Sequence, residues 1–425
     1  MRVCLFEDQG WRNFEPLVYF RPVFDLLCGQ TTLAAKHLRH FAPCEVGALL
    51  RPVLADLYRL QHPYTPVNDS AWLRRAPTIL VNGRWLPPAD VAVDVVSPAL
   101  HLIGDQVAYA VVGPELLAKV TADNIDDCLE SWKNTLPCKQ AGGEMLSFLW
   151  EVVDSNGEQI VQDCRHHLLG AGRHASPRIE VVGSPNELRV EPTAQIDPMV
   201  VADTRNGPVV IDAGAIVHAF TRLEGPCYVG PHAHVLGAKV RAGTSLGPHC
   251  RVGGEVEASI MQGYANKYHD GFLGHSYIGE WVNLGAGTQT SDLRNDYGEV
   301  KVVLNGQPIR TGSTKIGSYI GDHSKAGLGT LLNTGSNIGV FCNLLPSGGL
   351  LPKYVPSFAS WWNGALVDRN DLADNEHIAG QVMKRRGWAF TDVHAALVRT
   401  LHAQTAADRR KALLQADHRH LRRSA

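Results

Sequence analysis

Ile320-Gly321-Asp322-His323-Ser324-Lys325-Ala326-Gly327-Leu328-Gly329-Thr330-Leu331-Leu332-Asn333-Thr334-Gly335-Ser336-Asn337-Ile338 sets an aliphatic residue at every sixth position, Ile320, Ala326, Leu332 and Ile338, and Leu344 extends the run. A spacing of six is neither the 3.6 of a helix nor the 2 of a strand that buries one face. Toward the N-terminus the same step joins Ile211, Val217, Leu223, Val229 and Val235, and after one step of five it resumes at Val240, Leu246 and Val252. Val190 to Ile196 and Ile278 to Leu284 are further single steps.

The pattern predicts a parallel β-solenoid of triangular cross-section, in which each step is one short strand and one turn with its aliphatic side chain pointing inward. Three steps close a coil of about 18 residues. Gly or a small polar residue often follows the aliphatic one, as at Gly230, Gly247, Gly321 and Gly339, and is expected to take the unusual backbone dihedrals of a corner. Compact side chains recur four places on, at Ala215, Cys227, Ala233, Thr244, Cys250, Ser324 and Cys342. Residues 203 to 208 read as a turn, and 290 to 313 as a loop projecting from one coil.

The period is absent from the first 180 residues, where the apolar runs Val3–Phe6, Thr78–Val81 and Val107–Val112 alternate with the helical stretches 31 to 41 and 114 to 132. That alternation is the mark of an α/β domain. Beyond Pro356 the helix-period residues Val393, Leu397 and Leu401 predict a helical cap, with a basic end that reads as a solvated face. The expected organisation is an α/β domain over 1–180, a solenoid over 188–356 and a helical extension over 357–425.

Forty Lys plus Arg against 42 Asp plus Glu leave a formal charge of -2, which argues against a nucleic-acid partner and against a disordered polyelectrolyte. Nine Cys, none in a C-x-x-C pair, fit a reducing cytoplasm. No apolar stretch is long enough for a signal peptide or a membrane span.

Within the repeat, His269-Asp270-Gly271-Phe272-Leu273-Gly274 followed by Ile278-Gly279-Glu280-Trp281-Val282-Asn283-Leu284-Gly285-Ala286-Gly287-Thr288 resembles the active-site stretch of the hexapeptide-repeat acyltransferases. The likeness is greatest to the acetyltransferase half of the bifunctional N-acetylglucosamine-1-phosphate uridylyltransferase/glucosamine-1-phosphate acetyltransferase family. It covers about 240 to 345 and implies a left-handed parallel β-helix. It also implies that His269 is the general base, taking a proton from a sugar amine that attacks the thioester of acetyl-CoA or another acyl-CoA. The backbone N–H of Ala286 would then face the developing oxyanion. Asn283 matches a sugar-contacting residue, Arg241 a phosphate-holding one, and Asn295 and Tyr297 a loop contact. The family's phosphate-binding Lys is replaced in Val256-Glu257-Ala258-Ser259, so either Lys267 is the substitute or the acceptor lacks that phosphate. The CoA would run past Asp322 and Val340 in a groove between subunits, which implies a homotrimer. The implied substrates are amino sugar phosphates or nucleotide sugars.

The opening, Leu5-Phe6-Glu7-Asp8 with Pro16-Leu17, Phe20-Arg21-Pro22, Asp25-Leu26 and Gly29, resembles a divergent branch of sugar-nucleotidyltransferase-like domains fused to such solenoids. Arg21, Asp25 and Asn82 are the expected nucleotide-binding residues. In Ile79-Leu80-Val81-Asn82-Gly83-Arg84, Arg84 stands where that family has a magnesium-binding Asp, so any Mg²⁺ would need another carboxylate such as Asp105 or Asp154. Two other readings stay open: a non-catalytic nucleotide-sugar-binding or scaffold protein, and a zinc solenoid like the carbonic anhydrases. The zinc reading rests on His232 and His249, each three residues past an inward aliphatic and so stacked one coil apart.

Overall fold

The computed structural model describes residues 1–42, 44–89, 97–167, 179–368 and 371–423. They form two compact units, one of Met1–Phe14, Val18–Leu26 and Thr31–Phe148, the other of Glu15–Leu17, Leu27–Gln30 and Leu149–Ala425.

The first unit is built on a six-stranded sheet in the order Glu45–Leu49, Arg2–Phe6, Thr78–Asn82, Gln106–Val112, Ala99–Ile103, Cys138–Gln140. The first three strands are parallel and Gln106–Val112 runs against its neighbours. The three apolar runs read as strands are strands because helices cover them: Phe6, Leu80, Leu100, Ala110 and Val112 pack with Leu129 and Trp132 of the helix Ile125–Lys133. The helix expected over 31–41 is Leu33–His40, started by Thr32, whose hydroxyl accepts from the Ala35 N–H at 3.2 Å. The one expected over 114–132 is two, Pro114–Leu117 and Ile125–Lys133, parted by a turn.

In the second unit the repeat is a left-handed solenoid with three parallel ladders. One face has nine rungs, which place Val190, Ile211, Val229, Leu246, Met261, Ile278, Ile320, Ile338 and Val355 in one buried column. A second column runs Ile196, Val217, Val235, Val252, Lys267, Leu284, Ala326, Leu344. The five-residue step is a bulge between Leu236 and Lys239. The coil beneath is shorter still, stepping from Val252 to Val256 to Met261, so the repeat is hard to follow there by eye.

Corner geometry differs from the expectation. The left-handed residue lies three places past the aliphatic one, not one, at His232, His249, Tyr264, Trp281, His323, Phe341 and Phe358, all with φ between 53° and 62°. Gly at the earlier position answers a different need: a Cβ on Gly247 would strike the Gln262 carbonyl of the next coil. Non-Gly residues in this region cost about 1–2 kcal/mol each. Here their rings stack into one column up a corner, with centroid spacings of 4.9, 4.9, 4.4, 6.2, 4.7 and 5.3 Å. Stacked pairs contribute about 0.5–1.5 kcal/mol beyond their burial, so the column offsets part of its backbone cost.

The segment 290–313 does not project. Its hairpin, Lys301–Leu304 with Gln307–Arg310, folds back so that Val300 and Val302 are fully buried and Asn337 donates to the Val303 carbonyl at 2.9 Å. The helix Leu149–His167, read from sequence with the first domain, packs on the solenoid. Ile160 and Cys164 meet Val210 and Tyr228, and Asn156 donates to Gly243 O at 2.8 Å and Ser245 Oγ at 3.0 Å. Three helices, Leu372–Lys384, Asp392–Gln404 and Ala406–Arg423, follow the last coil. Arg409 of the basic end is not solvated: it is 4% exposed, donates to Ser357 O at 3.3 Å and lies over the Phe358 ring.

Phe358 ends the ring column and is fully buried. Phe358→Ala should cost about 3–5 kcal/mol, read as an earlier urea midpoint; an unchanged midpoint would show that the column is not stabilising.

Candidate active site

His269 and Ala286 occupy equivalent positions in consecutive coils, two places past the inward residues Lys267 and Leu284, on a different corner from the ring column. The turns are tied by a hydrogen bond from Gly287 N–H to Asp270 O at 3.0 Å. The imidazole of His269 is exposed, meets the edge of Tyr268, and makes no hydrogen bond among the described residues. Amides at the position of Ala286 are commonly absorbed elsewhere. Ala213 donates to Asp212, Thr334 to Asn333 and Val340 to Ser357, while Pro231, Pro248 and Pro346 have no N–H to give. The N–H of Ala286 has no partner among the described residues, and its side chain is too small to cover it. An accessible base one rung from an open amide donor is what acyl transfer needs.

The other expected residues are placed less simply. Asn283 faces outward beside Asn266, accepting from its amide at 2.7 Å. Arg241 is held among three carboxylates, 2.6 Å from Glu257, 3.5 Å from Glu255 and 3.6 Å from Glu224. A phosphate there would have to displace Glu257. Asn295 and Tyr297 are exposed at the start of the folded-back insertion, Tyr297 at 73%. Asp322 and Val340 stack one coil apart as read, but on the corner of the ring column, and both are buried. Asp322 accepts from Glu280 N–H, and Val340 N–H is spent on Ser357 at 3.1 Å. Lys267, expected at a phosphate, is 2% exposed and faces the inside of the prism.

Sequence reading gave His275 no role, and here it has the built partner. Its Nδ1 lies 2.7 Å from Asp292 Oδ2, with both side chains mostly buried. Burial pushes the Asp292 carboxyl up, but the hydrogen bond and charge of His275 outweigh it and hold the group below its ordinary value of 3.8. Asp292 O accepts from Ile316 N–H and His275 O from Gly317 N–H, so the pair clamps both stems of the insertion. The signal was present as a His and an Asp 17 residues apart, one coil, but the insertion hides the register.

In the first unit, Asn82 and Arg84 converge on Asp8. Asn82 Nδ2 donates to Asp8 Oδ2 at 2.8 Å, and Arg84 Nε to Asp8 Oδ1 at 2.7 Å. The guanidinium also reaches Leu146 O at 2.6 Å and Gln106 Oε1 at 2.8 Å, and is 6% exposed. Asp126 accepts from Gln9 N–H and is pushed up by burial and by Asp8. The expected Mg²⁺ does not fit this arrangement, because a fixed cation already neutralises the carboxylate. Asp105 is exposed, and Asp154 lies on the helix of the second unit. Among the described residues no group of three His, Cys, Asp or Glu side chains is arranged to hold a metal. His232 and His249 do stack, at 4.9 Å and 15°, as members of the ring column. Arg21 is buried, and its carbonyl accepts from Arg51 at 3.2 Å; Asp25 is half-buried near Tyr58. A further ion pair that the sequence did not show is Arg51 with Glu7, at 3.0 Å, and Glu7 also accepts from Val23 N–H.

Residues 3–173 match the family of sugar nucleotidyl transferases. A bifunctional sugar-1-phosphate nucleotidylyltransferase/acetyltransferase of Sulfurisphaera tokodaii is 37% identical over 92 residues, 22% of this chain and 23% of the relative. The bifunctional protein GlmU of Azorhizobium caulinodans is 30% identical over 144 residues, 32% of this chain and 30% of its own, and that of Paracoccus denitrificans is 31% identical over 154 residues, 36% and 30%. The chain thus spans less than a third of the length of these relatives. An Arabidopsis UDP-N-acetylglucosamine acyltransferase structure overlaps 50% of this chain and 77% of its own at 10% identity and a TM-score of 0.20, an overlap that carries no inference about the site. No described helix is long and apolar enough to cross a membrane.

Because the Asp292 carboxyl is depressed, its contribution to stability is complete above the ordinary carboxyl value and is lost as pH falls through the lower folded one. Asp292→Asn should therefore cost about 1–3 kcal/mol at pH 7. The gap to wild type in urea midpoint should narrow as pH falls below about 5, through the ordinary carboxyl value and the lower folded one; an equal gap throughout would contradict the pairing.

Proposed function

We propose that the solenoid is an acyl-CoA-dependent N-acyltransferase acting on an amino sugar phosphate or nucleotide sugar, with acetyl-CoA as the expected donor. The observation that carries this reading is the exposed imidazole of His269 one rung from the unpartnered N–H of Ala286. The uncharged amine attacks the thioester carbonyl, and His269 takes the proton it sheds. The oxygen of the tetrahedral intermediate gains negative charge and receives the Ala286 N–H. As the carbonyl re-forms, the C–S bond breaks, and the departing CoA sulfur takes a proton. Holding amine and thioester on one corner supplies much of the rate. Nine free cysteines support a reducing, cytoplasmic setting, and a homotrimer would place a neighbouring protomer's wall along this corner.

The test uses the corner's own chemistry. Pro is already accommodated at Pro346, the equivalent position on the same corner, so Ala286→Pro deletes the N–H where the backbone tolerates it. It should lower kcat about 10²–10³-fold without lowering Tm. His269→Ala should lower it about 10²–10⁴-fold in an assay with acetyl-CoA and glucosamine 1-phosphate. Retained activity in both variants would remove the reading.

For the first unit the Asp8–Arg84 pair favours a second reading, that it binds a nucleotide sugar without turning it over. UDP-N-acetylglucosamine should then raise Tm in EDTA as much as in Mg²⁺, by an increment equivalent to about 2.7 kcal/mol at a hundredfold excess over Kd. Pyrophosphate release from UTP and a sugar 1-phosphate, seen only with Mg²⁺, would overturn it.

A further inference from the structure

In the second inward column, Ile196, Val217, Val235, Val252, Leu284, Ala326 and Leu344 are aliphatic, and Lys267 alone among these is charged. It pairs with Val252, and its neighbour Asn266 pairs with Asn283, so its stem lies between Val252 and Leu284. A lysine put in such a stack loses hydration that an aliphatic residue never had. Burial lowers its pKa to about 8, with Asp270 opposing the shift.

What the ammonium does is local. Nζ donates to Gly253 O at 2.8 Å and to His269 O at 3.1 Å. At other corners the carbonyl equivalent to that of His269 accepts from the backbone of the next coil: Pro231 from His249, Pro248 from Tyr264, Glu280 from His323, and Ala286 from Gly329 on this same corner. At His269 the carbonyl is taken by Lys267, and the amide of the next coil, Gly287, turns instead to Asp270 O. The rung bearing the proposed base is thus bound differently from the rung above it. Both carbonyls can be served whether the amine carries two protons or three, so the effect is one of geometry. The space between them is fixed as well, since a Cβ on Gly253 would strike the Tyr268 carbonyl.

We infer that Lys267 is a positioning residue, which sets the turn carrying His269 by holding its carbonyl from inside the prism. The inference rests on the acyltransferase reading for its kinetic consequence, and on the hydrogen bonds alone for its structural one. It replaces the expected role of Lys267 at a substrate phosphate, which its burial rules out.

Lys267→Met keeps the length of the side chain and returns the column to apolar. The substitution removes a desolvated charge but also takes the donor from the Gly253 and His269 carbonyls, so the two effects oppose and Tm should shift only modestly. kcat should fall about 10- to 100-fold with KM for acetyl-CoA within about twofold, because the base is displaced while the thioester site is not. Lys267→Leu should behave alike, and Lys267→Met with kcat within about twofold of wild type would overturn the inference. So would a KM for acetyl-CoA that rises as far as kcat falls, the outcome of a lysine whose loss loosens the coil as a whole. If the wild-type chain transfers no acyl group, the acyltransferase reading fails on its own, and Lys267 is judged by the His269 Cε1–H resonance, assigned with His269→Gln. A shift in Lys267→Met supports the inference, and an unmoved resonance rejects it.

Discussion

Each coil of the solenoid is closed by three inward side chains that rest on those of the coil below, and the parallel ladders hold them in register. This stacking constrains everything else, because a residue's distance past the inward position decides whether it lies on a face or a corner, and which one. Two places past, on one corner, lie His269 and Ala286. Three places past, on another, lie the seven stacked rings. The same arithmetic puts the proposed site and the ring column on separate corners. Burial of the inward columns at about 25 cal/mol per Å² supplies the driving force. The ring column then stiffens one edge, and Arg409 closes its end.

The two units use charge in opposite ways. In the solenoid, Arg241 and the Glu residues around it form a partly exposed network on one face, where ion pairs contribute little to stability and remain open to exchange with a ligand. In the first unit, Asp8 and Arg84 are mostly buried and tied further to Asn82, Gln106 and Leu146. Breaking a pair of that kind leaves a charge without solvent, so it does not readily give way to a metal. The sequence similarity of residues 3–173 to sugar nucleotidyl transferases therefore coexists with a centre whose cation is covalently part of the chain.

Much of this was legible before any coordinates. The period of six between Ile320 and Leu344 reports the inward positions directly, one on each face of the prism in turn. His269 and Ala286 were singled out because the stretch from His269 to Thr288 resembles the active-site motif of the hexapeptide-repeat acyltransferases, and the structure adds that they lie one coil apart. What stayed hidden involves either a broken period or a long-range contact. Asp292 lies beside His275 only once the insertion is known to leave the coil after it, and Arg84 meets Asp8 across 76 residues. Lys267 was misread because its column could not be followed through the shortened coil below it, where Val252 steps to Val256 in four. The corner dihedrals were assigned to the residue directly after the aliphatic one, whereas they fall three places on, carried by the rings at one corner and by Gly287 and Gly329 at another, and Gly directly after the aliphatic residue answers contact between coils.

The central claim is that acyl transfer occurs at the corner shared by His269 and Ala286. A crystal structure of the His269→Gln variant with acetyl-CoA and glucosamine 1-phosphate tests it most directly. The thioester oxygen should lie about 3 Å from the Ala286 nitrogen, with the acceptor amine beside residue 269. A thioester seated along the ring column, or at any corner other than this one, would contradict the account.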